Sequence, residues 1–363
     1  MKGEQRTKKG GKWKTVAVSA TVLLAVYIVA GLIFSSIMMK RAFARSDKRG
    51  YFSAYLAYED VKSEFPREDV TFSSGANKLT GAIYGQDDAL GTVVIVHGYG
   101  GDKDTYLPQI QYFVQNDWLV FTYNGTGVND SGGGSRVNLY QAVTDLRNAL
   151  DYLDDTKYGN LPIVLLGHSQ GGYAVCSVLN HEESADVKAV VSFAGMNYAG
   201  ESVYAFARQS TGALYPLLKP FIYFVDHTDF TMGAENNAVN GINKADIPVL
   251  LIQGVGDDTV TPDIAITNYT GEIKNTRVEI KFLDDEWNNG HNSVFWSEEA
   301  FRYRNEVNAG LASFIAENNI ETLTDNDLHN WANAIGLDRV RINQLDKSLF
   351  DQINGFYERA IYE

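Results

Sequence analysis

One cysteine, Cys176, in 363 residues excludes an intramolecular disulfide. Stability must come from a packed core, and a chain of this length, 45% apolar and 21% charged, has the composition to bury one. There is no internal repeat and no low-complexity tract beyond a basic N-terminus, in keeping with a globular rather than a disordered or fibrous chain. Positive charge is scarce after residue 49. Residues 1–49 hold eleven Lys/Arg against Glu4 and Asp47, a surplus of +9, so a net charge of −14 leaves −23 on the remainder. A body this acidic repels a phosphate backbone, which excludes nucleic acid as a partner.

Thr15–Met39 carries no charge. As a helix rising about 1.5 Å per residue it would extend roughly 37 Å, longer than a hydrocarbon core of about 30 Å. A cleaved signal peptide has a shorter apolar stretch running into its cleavage site, whereas here Lys40 and Arg41 separate the run from the small-x-small triplet Ala42-Phe43-Ala44. A core helix would show a polar face, and this run is apolar all round. The reading is a retained single-pass anchor in the cell membrane. Basic residues flank both ends, with six in the first fourteen residues, so the positive-inside rule favours an internal N-terminus and an extracytoplasmic body.

The expected domains are a basic cytoplasmic tail (1–14), the anchor (15–39), a helical, partly polar stalk (40–66), a main domain (67–318) and a C-terminal extension (319–363) of two amphipathic helices, the second around 342–361. In the main domain short apolar runs alternate with longer amphipathic ones, the pattern of a mostly parallel α/β sheet with helices on both faces. Val70–Ser73 and Lys78–Tyr84 read as an opening antiparallel pair. Thr92–Val96, Leu119–Tyr123, Ile163–Leu166, Ala189–Phe193, Val249–Ile252 and Val278–Phe282 read as strands buried on both faces. Leu139–Leu153 and residues 297–317 read as helices. Residues 197–243, rich in Tyr and Phe, interrupt the alternation as an insert.

Gly167-His168-Ser169-Gln170-Gly171 follows a strand and precedes a helix. A serine hydroxyl is a weak nucleophile and needs exposure, a base and an oxyanion site. A strained strand-to-helix turn supplies the first, and the helix N-terminus adds N–H donors. Ser169 is the nucleophile candidate. His97-Gly98-Tyr99-Gly100-Gly101, after Thr92–Val96, is the second element, and the N–H groups of Tyr99 and Gln170 are the expected oxyanion donors. His97 itself reads as a loop-bonded histidine rather than a second base. After Val249–Ile252 come two adjacent acids, Asp257 and Asp258; spacing from Gly254 favours Asp257 as the carboxylate that orients the base, with Asp258 as the alternative. Gly290-His291-Asn292, beyond the last strand, makes His291 the general base, while His168, His181, His227 and His329 read as structural or surface residues.

With these motifs in the order Ser169, Asp257, His291, the sequence resembles the α/β-hydrolase superfamily, in its serine aminopeptidase and monoacylglycerol lipase-like branch, over about residues 67–318. Tyr123-Asn124-Gly125-Thr126-Gly127 with Ser131-Gly132-Gly133 looks like a family loop in which Asp and Arg are usual where Asn124 and Thr126 stand here. The resemblance implies an α/β-hydrolase fold, a lid at residues 197–243, and serine hydrolysis that requires neither metal nor organic cofactor. Tyr198, Tyr204, Phe206, Tyr215, Phe221, Tyr223, Phe224 and Phe230 would suit a small-molecule or lipid-like acyl ester, or would merely seal the insert. Peptide or amide cleavage is the alternative, with Glu201, Asp226, Asp229 and Glu235 available but not clustered as an anchor for a peptide terminus. A membrane-tethered, non-catalytic binding module is the remote third reading.

Overall fold

Runs of β-branched residues build the centre of an eight-stranded sheet. The structure is a computed structural model that describes residues 8–47, 56–230, 237–321 and 323–362. The chain divides into two compact units, residues 1–44 with 203–232, and residues 45–202 with 233–363.

The larger unit holds strands β1 (Arg67–Ser74), β2 (Asn77–Tyr84), β3 (Thr92–Val96), β4 (Leu119–Tyr123), β5 (Ile163–His168), β6 (Val187–Phe193), β7 (Val249–Gly254) and β8 (Val278–Leu283), in the order β1-β2-β4-β3-β5-β6-β7-β8. β1 and β2 form the expected antiparallel hairpin, β2 pairs antiparallel with β4, and every later pairing is parallel. β3, β4, β5 and β7 are buried throughout, as their unbroken apolar runs require. β8 is not. It closes the edge, and Ile280 and Phe282 are exposed, which corrects the expectation of burial on both faces.

Alternate side chains of the central strands, among them Val93, Ile95, Val164, Leu166, Val191 and Phe193, form one apolar cluster with α2 (Leu107–Gln115) and with Phe295. Side chains one position along, such as Val94, Leu165 and Val190, are equally buried and point to the other face, where α3 (Gln141–Asp154), α4 (Gln170–Ser177) and α7 (Ala238–Ala245) pack together. Between β6 and α7 the chain forms α5 (Ala199–Thr211) and α6 (Tyr215–Val225). The sequence reading did not include α2, a nine-residue helix.

The C-terminal segment differs from its description as an extension beyond the core. After α8 (Glu298–Glu317) and α9 (Asp325–Ala334), helix α10 (Lys347–Tyr362) places Leu349, Phe350, Ile353, Phe356 and Tyr357 in the same cluster as β3 and β5. Tyr357 OH donates to the Leu165 carbonyl at 2.7 Å, and Trp118 Nε1 donates to Asn354 at 2.8 Å. Residues 40–66 differ too. The helix that starts in the anchor ends at Ala42, the only later helical stretch described there is the single turn Tyr58–Val61, and residues 48–55 lie outside the described residues. Arg45 donates to the carbonyls of Asn129, Ser131 and Gly133, and Leu56, Val61 and Phe65 are buried in the core cluster.

In the smaller unit, α1 (Lys8–Ala42) is long and apolar enough to cross a membrane, and only 6% of its most apolar window is buried. Its buried positions form a row, Gly31, Ser35 and Met39, at the four-residue interval that shares a helix face. α6 packs on α1: the Tyr27 ring meets Phe221 edge-on at 5.0 Å, and Tyr27 OH donates to the Leu217 carbonyl at 2.5 Å. Tyr204 stacks on Tyr223 and donates to Asp226 at 2.7 Å. The side chains of Asp229 and Phe230, and Glu235, lie outside the described residues. The insert is narrower than residues 197–243, since α7 belongs to the sheet-bearing unit.

Candidate active site

Ser169 stands between the end of β5 and the start of α4 at φ 57, ψ −118, a left-handed conformation that a side-chain-bearing residue adopts only under constraint. The turn is held by Ser169 N–H donating to the Phe193 carbonyl at 2.9 Å and by Tyr173 N–H donating to the Ser169 carbonyl at 3.0 Å. It also needs glycine at residue 171, where a Cβ would run into the Val96 carbonyl oxygen. The His97–Gly101 loop reaches the same point: a Cβ on Gly98 would lie 3.3 Å from Ser169 Cβ. Gln170 begins α4, so its N–H has no carbonyl four residues back inside the helix. Tyr99 is exposed, and its ring is stacked beneath Arg136 at 4.1 Å.

The structure brings His291 and Asp257 together. His291 Nδ1 donates to Asp257 Oδ2 at 2.8 Å. That carboxylate is fully buried and also accepts from Gln253 Nε2 at 3.1 Å and from the N–H groups of Thr259 and Val260 at 2.9 Å each. With Nδ1 as donor, Nε2 is the basic nitrogen. Asp258 is exposed and, among the described residues, accepts only from Thr259 Oγ1, at 3.3 Å. Among the described residues no hydrogen bond joins the Ser169 hydroxyl to His291, a link that tightens in many hydrolases only when substrate binds.

His168, which the sequence reads as structural or surface, and Tyr106, which it does not mark, tie these parts together. His168 Nε2 donates to the His291 carbonyl at 2.9 Å, its Nδ1 accepts from Tyr106 OH at 2.9 Å, and Tyr106 OH accepts from Gly98 N–H at 3.3 Å. One buried chain therefore links His291, the residue before Ser169 and the His97–Gly101 loop. The position of His168 inside the serine motif was a signal; for Tyr106 there was none. His97 is bonded within the loops as expected, its Nε2 accepting from Gly125 N–H at 3.1 Å and its Nδ1 donating to the Gly98 carbonyl at 2.9 Å. Asn124 and Thr126 are anchored as well: Asn124 accepts from Lys103 N–H, and Thr126 donates twice to buried Asp145.

Burial, with the adjacent His291 ring second, pushes His168 down to about 3, and burial lowers His97 as well. His168 stays neutral in the folded protein while an unfolded histidine protonates below about pH 6.5. The unfolded state then binds more protons, so this contribution to stability is complete above pH 6.5 and is lost as the pH falls from there towards 3. Urea midpoints measured from pH 7 to pH 4 should fall, and His168→Gln should fall less steeply over that range. An equal slope in the variant would remove His168 from the account.

The family model for serine aminopeptidases, S33, matches residues 87–241. A Pyrococcus furiosus esterase, Pf2001, superimposes with a TM-score of 0.53 at 19% identity, covering 76% of this chain and 98% of its own. The chain is an α/β-hydrolase by fold. A second crystal form of the same esterase matches this chain with a TM-score of 0.53 at 18% identity over 76% of the chain and 97% of its own. The uncharacterized protein YfhR of Salmonella typhi is 25% identical over 178 residues, 48% of this chain. The chain spans 56% of the length of that relative.

Proposed function

We propose that the protein is a membrane-anchored serine hydrolase that cleaves a carboxylic ester through an acyl-enzyme on Ser169. The observation that carries this reading is the buried His291–Asp257 pair in the same unit as a serine held at positive φ on a strand-to-helix turn. His291 Nε2 takes the hydroxyl proton as Ser169 Oγ attacks the acyl carbon, and the N–H groups of Tyr99 and Gln170 receive the developing oxyanion. Collapse breaks the bond to the alcohol, which leaves with the proton from His291. Water then gives a proton to His291 and attacks the acyl carbon, and Ser169 departs with that proton as the carboxylic acid is released. Tyr106 and His168 act as positioning residues.

The ester reading draws on the aromatic insert, and a small-molecule or lipid-like acyl substrate is proposed. Amide cleavage is the second reading, favoured by the match to the serine aminopeptidase model. Two of the acids available for an amine anchor are engaged elsewhere: Glu201 accepts from Tyr269 OH at 2.8 Å and Asp226 from Tyr204 OH at 2.7 Å. α1 is proposed as a single-pass anchor in the cell membrane with the body extracytoplasmic, on its length, its apolar surface and the basic flank before it.

Purified full-length protein should hydrolyse p-nitrophenyl esters of rising chain length faster than aminoacyl anilides. Faster turnover of the anilides would replace the ester reading with the amide one.

A further inference from the structure

We propose that helix α6 of the insert is itself embedded in the bilayer, with lipid acyl chains covering its outer face. This rests on the reading of α1 as a membrane anchor. The contacts between the two helices set the depth. Gly31 lies nine residues before Lys40, the first charge after the apolar run, so it stands about 13 Å inside that boundary. A Cβ at Gly31 would run into the Phe221 ring, so α6 sits directly against α1 at this level. Tyr27, one turn further in, touches both Phe221 and Leu217. A helix in contact with the middle of a membrane span is at hydrocarbon depth.

The composition of α6 suits that place. Residues 213–225, Ala-Leu-Tyr-Pro-Leu-Leu-Lys-Pro-Phe-Ile-Tyr-Phe-Val, contain the single charge Lys219, whose four-carbon stem can carry the ammonium towards headgroup level. Leu214, Leu217 and Phe224 follow three- and seven-residue steps along one face, and each is more than half exposed. On α1, Val22, Leu23 and Val29 are similarly bare. Pro220 supplies no N–H to the Pro216 carbonyl, and the adjacent Leu217 carbonyl receives the Tyr27 hydroxyl. Eleven residues are too few to cross, so α6 enters and returns on one side.

The test uses the full chain in phosphatidylcholine vesicles, with an environment-sensitive fluorophore on single introduced cysteines. Native Cys176 is fully buried and stays unlabelled. The sites are Leu217→Cys and Phe224→Cys on α6, Val22→Cys on α1, and Val340→Cys, which is 84% exposed in the sheet-bearing unit, as the aqueous reference. Lipid carrying a nitroxide on its acyl chain is the quencher. The expected result is loss of fluorescence at residues 217 and 224 matching that at residue 22, with none at residue 340. Quenching at residue 22 alone would overturn the inference and leave the anchor standing, whether α6 is covered by water or by a second copy. Absence of quenching at residue 22 would remove the anchor and the inference together.

Discussion

Ser169→Ala is expected to lower kcat/KM on the best ester substrate by roughly 10⁴- to 10⁶-fold while leaving the urea midpoint close to that of the wild type. The two halves of this expectation have separate physical origins. Alanine keeps the Cβ that already occupies φ 57, so the strained turn and its hydrogen bonds to Phe193 and Tyr173 are unchanged. The Ser169 hydroxyl has no hydrogen bond to His291 whose loss would register in stability. Only covalent chemistry disappears, and what survives is the rate that oxyanion donors and substrate binding give without a nucleophile. KM should move little, because the missing oxygen acts in the transition state rather than in ground-state binding. A fall of less than tenfold would assign the reaction to another residue.

Asp257→Asn should cost about 10⁴-fold in kcat, whereas Asp258→Asn should stay within a few-fold of the wild type. The Asp257 carboxylate accepts from His291, Gln253, Thr259 and Val260. An amide in its place turns one acceptor oxygen into a donor. If that NH₂ faces His291, the imidazole must present a lone pair at Nδ1 and carry its proton on Nε2, the tautomer that cannot take a proton from Ser169. If it faces the turn, it meets the N–H groups of Thr259 and Val260 instead. Asp258 has, among the described residues, only the exposed contact with Thr259 Oγ1. The double variant Ser169→Ala/Asp257→Asn should be no slower than Ser169→Ala, because residues that act as one unit are not additive. Equal losses at Asp257 and Asp258 would refute the assignment of the acid, as would a larger loss at Asp258.

Much of the fold was legible because strand and helix periodicity is local. The unbroken runs of β3, β5 and β7 required burial on both faces, and the serine motif sat where a strand gave way to a helix. Position within the sheet is not local. Val278–Leu283 carries apolar residues as the inner strands do, yet among the described residues it stands at the sheet edge beside β7, and Phe282 is exposed. The amphipathic pattern of Lys347–Tyr362 announced a helix, but nothing in it told where Tyr357 would dock.

The site divides the same way. Residue type and spacing marked Ser169 and His291 as candidates, while two adjacent acids at nearly equivalent spacing could not be ranked with the same force. The backbone separates them: the chain turns back so that the N–H groups of Thr259 and Val260 close on Asp257 and leave Asp258 outside. His168 read as structural, and its link to the carbonyl of His291, 123 residues away, depends on packing that no local pattern records.

Labelling with a fluorophosphonate, followed by mass spectrometry of the modified peptide, tests the central claim most directly. A phosphonyl adduct on Ser169, absent from the Ser169→Ala variant, is the predicted result. A folded protein that takes up no label, or that carries it on another residue, would contradict the account.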